Sequence, residues 1–304
     1  MLRGAGCDAG RQTEEWRNVS LRLASRFGVV LAAAAAGLAV QALGGAAHAQ
    51  GRLDARYTAS LAGMPIGRGA WVVDIGEDKY LAAASGVTAG LLRLFSGGEG
   101  TGAARGSIVK GEFVPASYAA SISTSSRRTN EVRFALKGGA VKDVAVSPPV
   151  PPDSGRIPLK AAHRRGVTDP MTASLLRVAG ANPLVPGACQ RSLAVFDGRM
   201  RYDLRFAYKR TETVRAEKGY AGPALVCAVY FNPVAGYIPD RTVIKYLTDS
   251  RDMEIWLTPI AGTSVLVPFR ATVPTPFGLG VVEAKQYVTA AGRTRAATSG
   301  SKPQ

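Results

Sequence analysis

The stretch Cys189-Gln-Arg-Ser-Leu-Ala-Val-Phe196, Asp197-Gly198, Arg199-Met-Arg-Tyr-Asp-Leu-Arg-Phe-Ala-Tyr208 decides the fold class. Asp-Gly between two alternating runs predicts a hairpin, because a type I′ turn needs two residues that tolerate positive φ. Beyond the turn, Met200, Tyr202, Leu204, Phe206 and Tyr208 share one face, and Arg199, Arg201, Asp203, Arg205 and Lys209 share the other. That is period two: a strand with one dry and one wet side. A third run, Leu225-Val-Cys-Ala-Val-Tyr-Phe231, carries Cys227.

Residues 1–49 read as a secretory signal. Arg17, Arg22 and Arg26 form a positive region, Phe27 to Leu43 is apolar, and Ala47-His48-Ala49 suits a signal peptidase, with cleavage before Gln50. The long basic region is consistent with translation starting near Val19 or Leu21. The alternative is an N-terminal membrane anchor, for which an Ala/Gly-rich run of this length is at the short limit. Five of the 38 basic and three of the 22 acidic residues lie in 1–49, which leaves a net charge of +14. Cys7 also falls there, so the mature chain keeps Cys189 and Cys227. An even number of cysteines in an exported chain predicts a Cys189–Cys227 disulfide and a periplasmic location; two separate buried thiols are the alternative.

The mature chain opens as an antiparallel meander. Leu53 to Leu61 alternates, Gly63-Met-Pro-Ile-Gly67 turns, Arg68 to Ile75 returns with Trp71, Val73 and Ile75 on one side, and Lys79 to Ser85 follows. Thr88 to Phe95 is short and apolar, a helical turn or a strand. Gly97 to Gly106 reads as a flexible turn; it lacks the spacing of a phosphate-binding loop. Further strands are expected at 106–110, 115–123, 130–137 and 141–146. The prolines of Ser147 to Pro158 mark a crossover. Asp169 and Pro170 suit the N-cap and first position of a helix, with Met171, Leu175, Leu176 and Val178 as its apolar stripe and Gly180 as its end. Three last strands, at 253–257, 264–271 and 278–288, are edged by Pro268, Pro274 and Pro276. The expected organisation is a single β-rich domain over 50–289 and a disordered basic tail over 290–304.

Several of these segments together resemble a family catalogued as domain of unknown function 3108. They are Tyr57-x-Ala-Ser-Leu-Ala-Gly-Met-Pro-Ile-Gly67, Val114-Pro-Ala-Ser-Tyr118, Asp169-Pro-Met-Thr-Ala-Ser-Leu-Leu-Arg177, Phe196-Asp-Gly-Arg-Met-Arg-Tyr-Asp-Leu204, Ile255-Trp-Leu, Val267-Pro-Phe-Arg270 and Phe277-Gly-Leu-Gly-Val-Val-Glu-Ala284. The resemblance covers Leu53 to Val288. It implies an exported bacterial envelope protein and brings no catalytic residues. The implied shape is similar to the curved half-barrels of periplasmic lipoprotein and lipid carriers. The fold expected is all-β and mainly antiparallel, a large curved sheet or half-open β-barrel with one or two short helices.

Reactive chemistry is hard to assemble from this chain. The mature part holds one histidine, His163, among Lys160, Arg164 and Arg165, and no nucleophile elbow accompanies it. One histidine and two paired cysteines do not make a zinc site, so neither a metal nor a cofactor is expected. Asp203, Glu212, Glu217, Asp240, Asp252, Glu254 and Glu283 are scattered among cations, as cross-strand ion pairs are. The basic surplus, including Arg127-Arg128, Arg164-Arg165 and a face of Arg199, Arg201 and Arg205, points to an anionic envelope component such as lipid headgroups, lipopolysaccharide phosphates or acidic polymers. Nucleic acid is not expected for an exported protein. Trp71, Phe134, Phe206, Tyr208 and Trp256 are candidates to line a cavity inside the curved sheet; ordinary core positions are the alternative. These features predict a non-enzymatic binding or scaffold protein, peripheral to the membrane at most. A structural partner of another envelope protein and an unrecognised hydrolase are the alternatives.

Overall fold

Alternation of apolar and polar residues is what the backbone follows almost everywhere. The computed structural model describes residues 50–89, 98–124, 129–151 and 155–292. The expected signal peptide, most of Thr88–Phe95, Arg127-Arg128 and the tail beyond Gly292 lie outside the described residues. The first strands are β1 (Gly51–Leu61), β2 (Met64–Ile75), β3 (Lys79–Thr88), β4 (Gly98–Val109), β5 (Glu112–Thr124), β6 (Thr129–Lys137) and β7 (Ala140–Ser147). A 3-10 turn over Ala161–Arg164, a one-turn helix α1 (Pro170–Ala173) and the short β8 (Leu176–Arg177) follow. After a second 3-10 turn, Pro186–Cys189, come β9 (Arg191–Phe196), β10 (Arg201–Arg215), β11 (Lys218–Gly219) and β12 (Ala221–Ala235). Helix α2 (Thr242–Asp249) and strands β13 (Glu254–Pro259), β14 (Val265–Thr275) and β15 (Gly278–Ala291) complete the order.

The strands form one sheet in the order β7-β6-β5-β4-β3-β2-β1-β15-β14-β13-β12-β10-β9, antiparallel along the whole path. The expected large antiparallel curved sheet is therefore present. Its two edges approach each other. Thr168 bridges Val195 on β9, Arg165 bridges Ala140 at β7, and the rings of Phe134 and Phe196 lie 5.4 Å apart. Gly198 sits flush on this seam: a Cβ there would meet Val132 Cγ1, and its φ of +95° also favours glycine.

Three clusters fill the structure. Leu53, Val73, Ile75, Tyr80, Trp256, Phe269 and Tyr287 form the largest, on the face that β1–β3 bury. Leu176, Phe206, Leu225, Leu257 and Leu266 surround the disulfide. Val132, Phe134, Leu136 and Phe196 pack the seam. Cys189 and Cys227 are bonded, with Cα atoms 5.6 Å apart, and tie the 3-10 turn before β9 to β12.

Several expectations are corrected. The helix expected from Pro170 to Val178 is one turn long. Asp169 does cap it, accepting from the Thr172 amide at 2.8 Å, but Leu175 buries in the first cluster and Leu176 in the second. Burial on opposite sides is a strand's alternation, and Leu176–Arg177 pairs with β14. The glycine-rich stretch read as a flexible turn is strand from Gly98 onward, laddered in register to both β3 and β5. Asp197-Gly198 does not make a two-residue turn. The Asp197 carboxylate accepts both the Arg199 and Met200 amides, which stabilises a four-residue loop instead. Pro268 and Pro274 lie within the central β14 rather than at its edges, Pro268 beside a register shift between β13 and β14.

Candidate functional site

The inner face of β1–β6 changes character along its length. One row across the strands, Leu53–Val73–Ala82–Ala104–Tyr118–Phe134, is filled with side chains. Helix α1 packs beside it: Thr172 Oγ1 donates to Asp169 at 2.6 Å and accepts from the Tyr80 hydroxyl at 2.7 Å. Four residues along each strand, on the same face, the row reads Tyr57–Gly69–Gly86–Gly100–Ile122. Three of those five positions carry no side chain. The face that is solid at one end is hollow at the other.

The glycines differ in what they require. A Cβ on Gly69 would come within 2.9 Å of the Ser85 carbonyl, so close backbone approach explains that one. At Gly86 the nearest atom would be 3.5 Å away and at Gly100 also 3.5 Å, ordinary contact distances. Neither has a positive φ. Strand geometry does not demand glycine there; the consequence of glycine there is open space.

At Gly69 and Gly86 that space is a cavity of about 400 Å³ bordered also by Tyr57, Trp71, Ala84 and Val282; Gly100 and Ile122 lie outside its lining. Trp71 is 8% exposed and its indole nitrogen is buried with no hydrogen-bond partner. A buried indole N–H ordinarily has an acceptor. The Tyr57 hydroxyl instead donates to the Pro268 carbonyl at 2.6 Å, and burial pushes its pKa up, so it stays neutral. Ile122, on the hollow row, is 56% exposed, and Val282 is 45% exposed. A pocket above about 300 Å³ with an apolar lining and one or two polar groups is the usual form of a small-molecule site. A wider concavity of about 620 Å³ runs along Asp74, Leu81 and Arg105, where Asp74 is ion-paired to Arg52 at 2.7 Å.

The other candidates named from the sequence scatter. Of the five aromatic residues, Trp71 alone borders this cavity. Trp256 lies in the first cluster, Phe206 beside the disulfide and Phe134 at the seam. Tyr208 is 37% exposed, at a register shift of β10 that turns the following residues to the opposite face. The basic face also divides. Arg201 pairs with Asp203 at 2.8 Å, Arg205 stacks 4.0 Å over Tyr230, and Arg199 reaches the Ser147 and Pro148 carbonyls. His163 accepts from the Lys160 amide at 3.2 Å through Nδ1 and closes its own 3-10 turn.

Two carboxylates do meet. Arg210 donates to Glu212 at 2.6 Å and to both oxygens of Glu254, at 2.9 and 3.0 Å. Trp256 Nε1 donates to Glu212 at 2.7 Å. The hydrogen bond from Trp256 lowers the Glu212 pKa, and the bond from Arg210 lowers that of Glu254 to about 2. Both are held ionised. Among the described residues, no three His, Cys, Asp or Glu side chains are grouped to hold a metal ion, and no helix is long and apolar enough to cross a membrane.

Comparison with known proteins gives the following. The family described as protein of unknown function (DUF3108) matches residues 56–285. No curated protein matches the chain. A crystal structure of a β-barrel-like protein of domain of unknown function DUF1849, from Brucella abortus, is similar at a TM-score of 0.42 and 9% identity, over 79% of this chain and 97% of that one.

Proposed function

This chain belongs to the DUF3108 family, and we propose that it is a non-enzymatic binding protein of the bacterial cell envelope, exported to the periplasm, that seats the apolar chain of a lipidic ligand in the hollow end of its sheet. The observation that carries this reading is the row Tyr57–Gly69–Gly86–Gly100–Ile122, in which Gly86 and Gly100 leave room that strand geometry does not require. The disulfide supports an oxidising compartment. Glu212 and Glu254 support the absence of catalysis: general acid–base pairs need their pKa values driven apart, and here both are lowered.

Native mass spectrometry of the protein gently extracted from its host envelope tests the proposal. A co-purifying lipid, absent from a Gly86→Leu variant that places a side chain in the cavity, is the expected result. No bound lipid in the wild type, with a melting temperature unmoved by added lipid, would contradict it.

A second reading is a structural partner in an envelope complex. Phe277, 81% exposed, and Met64, 59% exposed, favour it. They stand on adjacent hairpins, joined by the Ala62 amide donating to the Leu279 carbonyl at 3.0 Å. Crosslinking in intact cells through a photoreactive residue at 277 should then recover one protein neighbour; recovery of none would end this reading.

A further inference from the structure

Residues 149–151 and 156–159 after β7 border a second cavity, of about 510 Å³, which differs in kind from the first. Three arginines line it: Arg156, Arg164 and Arg199. No carboxylate of the described residues does. Arg156 holds the Gly236 carbonyl through Nη1, and Arg199 holds the Ser147 and Pro148 carbonyls through Nη2 at 3.0 and 3.1 Å. Those bonds fix two guanidinium planes while leaving most of their donors unused. Arg164 makes no side-chain hydrogen bond or ion pair with any described residue. The Nε atoms of Arg156 and Arg164 are buried without a partner. Three like charges gathered in one wall repel one another, with the Asp197 carboxylate acting on Arg199 only, and buried unpaired donors are costly. A surface that only needed solubility would disperse them.

We propose that this cavity is an oxyanion site that takes a phosphate group. Planar guanidinium forks match phosphate oxygens in pairs, and two of the three are already oriented by backbone carbonyls. Val144, Val146 and Leu159 are among the other lining residues, so an apolar group attached to the phosphate would find contact. The site lies at the seam of the sheet, formed by other residues than the hollow row, and stands whether or not that row holds a lipid.

The test is calorimetric titration of the purified exported protein with inorganic phosphate and, separately, with octyl phosphate, at constant ionic strength. Saturable one-to-one binding of at least one probe is expected. It should weaken about tenfold in Arg164→Gln, because a charge-assisted contact is lost. Arg164 has no partner among the described residues to lose, so the fold should persist. Lys79→Gln, a distant cation, and Gly86→Leu, in the other cavity, should leave the affinity unchanged. Equal affinity for the two probes assigns the site to the bare oxyanion, and tighter octyl phosphate assigns it to the headgroup of an amphiphile. Failure of both probes to bind, or equal binding by Arg164→Gln and the wild type, would overturn the proposal.

Discussion

Asp169 is fully buried at the start of α1, and burial raises its pKa despite the hydrogen bonds that Thr172 gives it. The unfolded carboxyl ionises near 3.8, the folded one higher, so the folded state keeps its proton longer. This group therefore costs nothing below pH 3.8 and destabilises progressively as pH rises through its folded value. Asp169→Asn keeps the cap and removes the charge, so its melting temperature at pH 7 should equal or exceed the wild type's. Asp169→Ala should lose about 1–2 kcal/mol with the cap. Thermal melts at pH 4 and 7 separate these. Glu254 has the opposite sign: its stabilisation is full above pH 4.5 and fades as pH falls toward 2. Glu254→Gln should remove that acid limb and cost about 1–3 kcal/mol at pH 7, read from urea midpoints, because Lys209 and Arg210 lose their shared partner. Local chemistry of this kind was legible: Asp169-Pro170 announces a cap on its own. The partners of Arg201 and Arg205 were less so. Both groups sit on the expected strand, yet what each touches depends on side-chain reach, Asp203 along the strand and Tyr230 across it.

Elements were readable where alternation is clean and misread where a neighbour overrides propensity. Strands β1, β2 and β6 follow period two and were evident. Gly98 to Gly106 was not, because glycine reads as a turn unless strands on both sides supply the ladder. The α1 segment reads as helix over nine residues, but the chain runs between two clusters and must alternate to serve both. Helix α2 gave no legible signal: its N-cap position is Arg241, with no side-chain cap. The disulfide was readable from cysteine number and the expected export. It closes a separation of 38 residues, so replacing both cysteines by alanine should lower stability by about 4 kcal/mol in the chain-entropy account. Denaturant midpoints with and without a reductant check this, and an unchanged midpoint would mean the bridge contributes nothing.

At the scale of the whole molecule, a single antiparallel sheet curls until its edges meet at a seam, and its interior is solid at one end and hollow at the other. The curl was legible from alternation and crossover; the hollow was not. It depends on the register that sets Gly69, Gly86 and Gly100 side by side on one face, and three strands' pairing is invisible in a linear chain. The aromatic candidates failed to converge for the same reason. The most direct test is titration of the purified protein with cis-parinaric acid, a fluorescent fatty acid, in the wild type and in Gly86→Leu. Saturable one-to-one enhancement in the wild type, lost in a Gly86→Leu variant that keeps its melting temperature, is the predicted result. No enhancement in the wild type, or the same affinity with leucine filling that position, would contradict it.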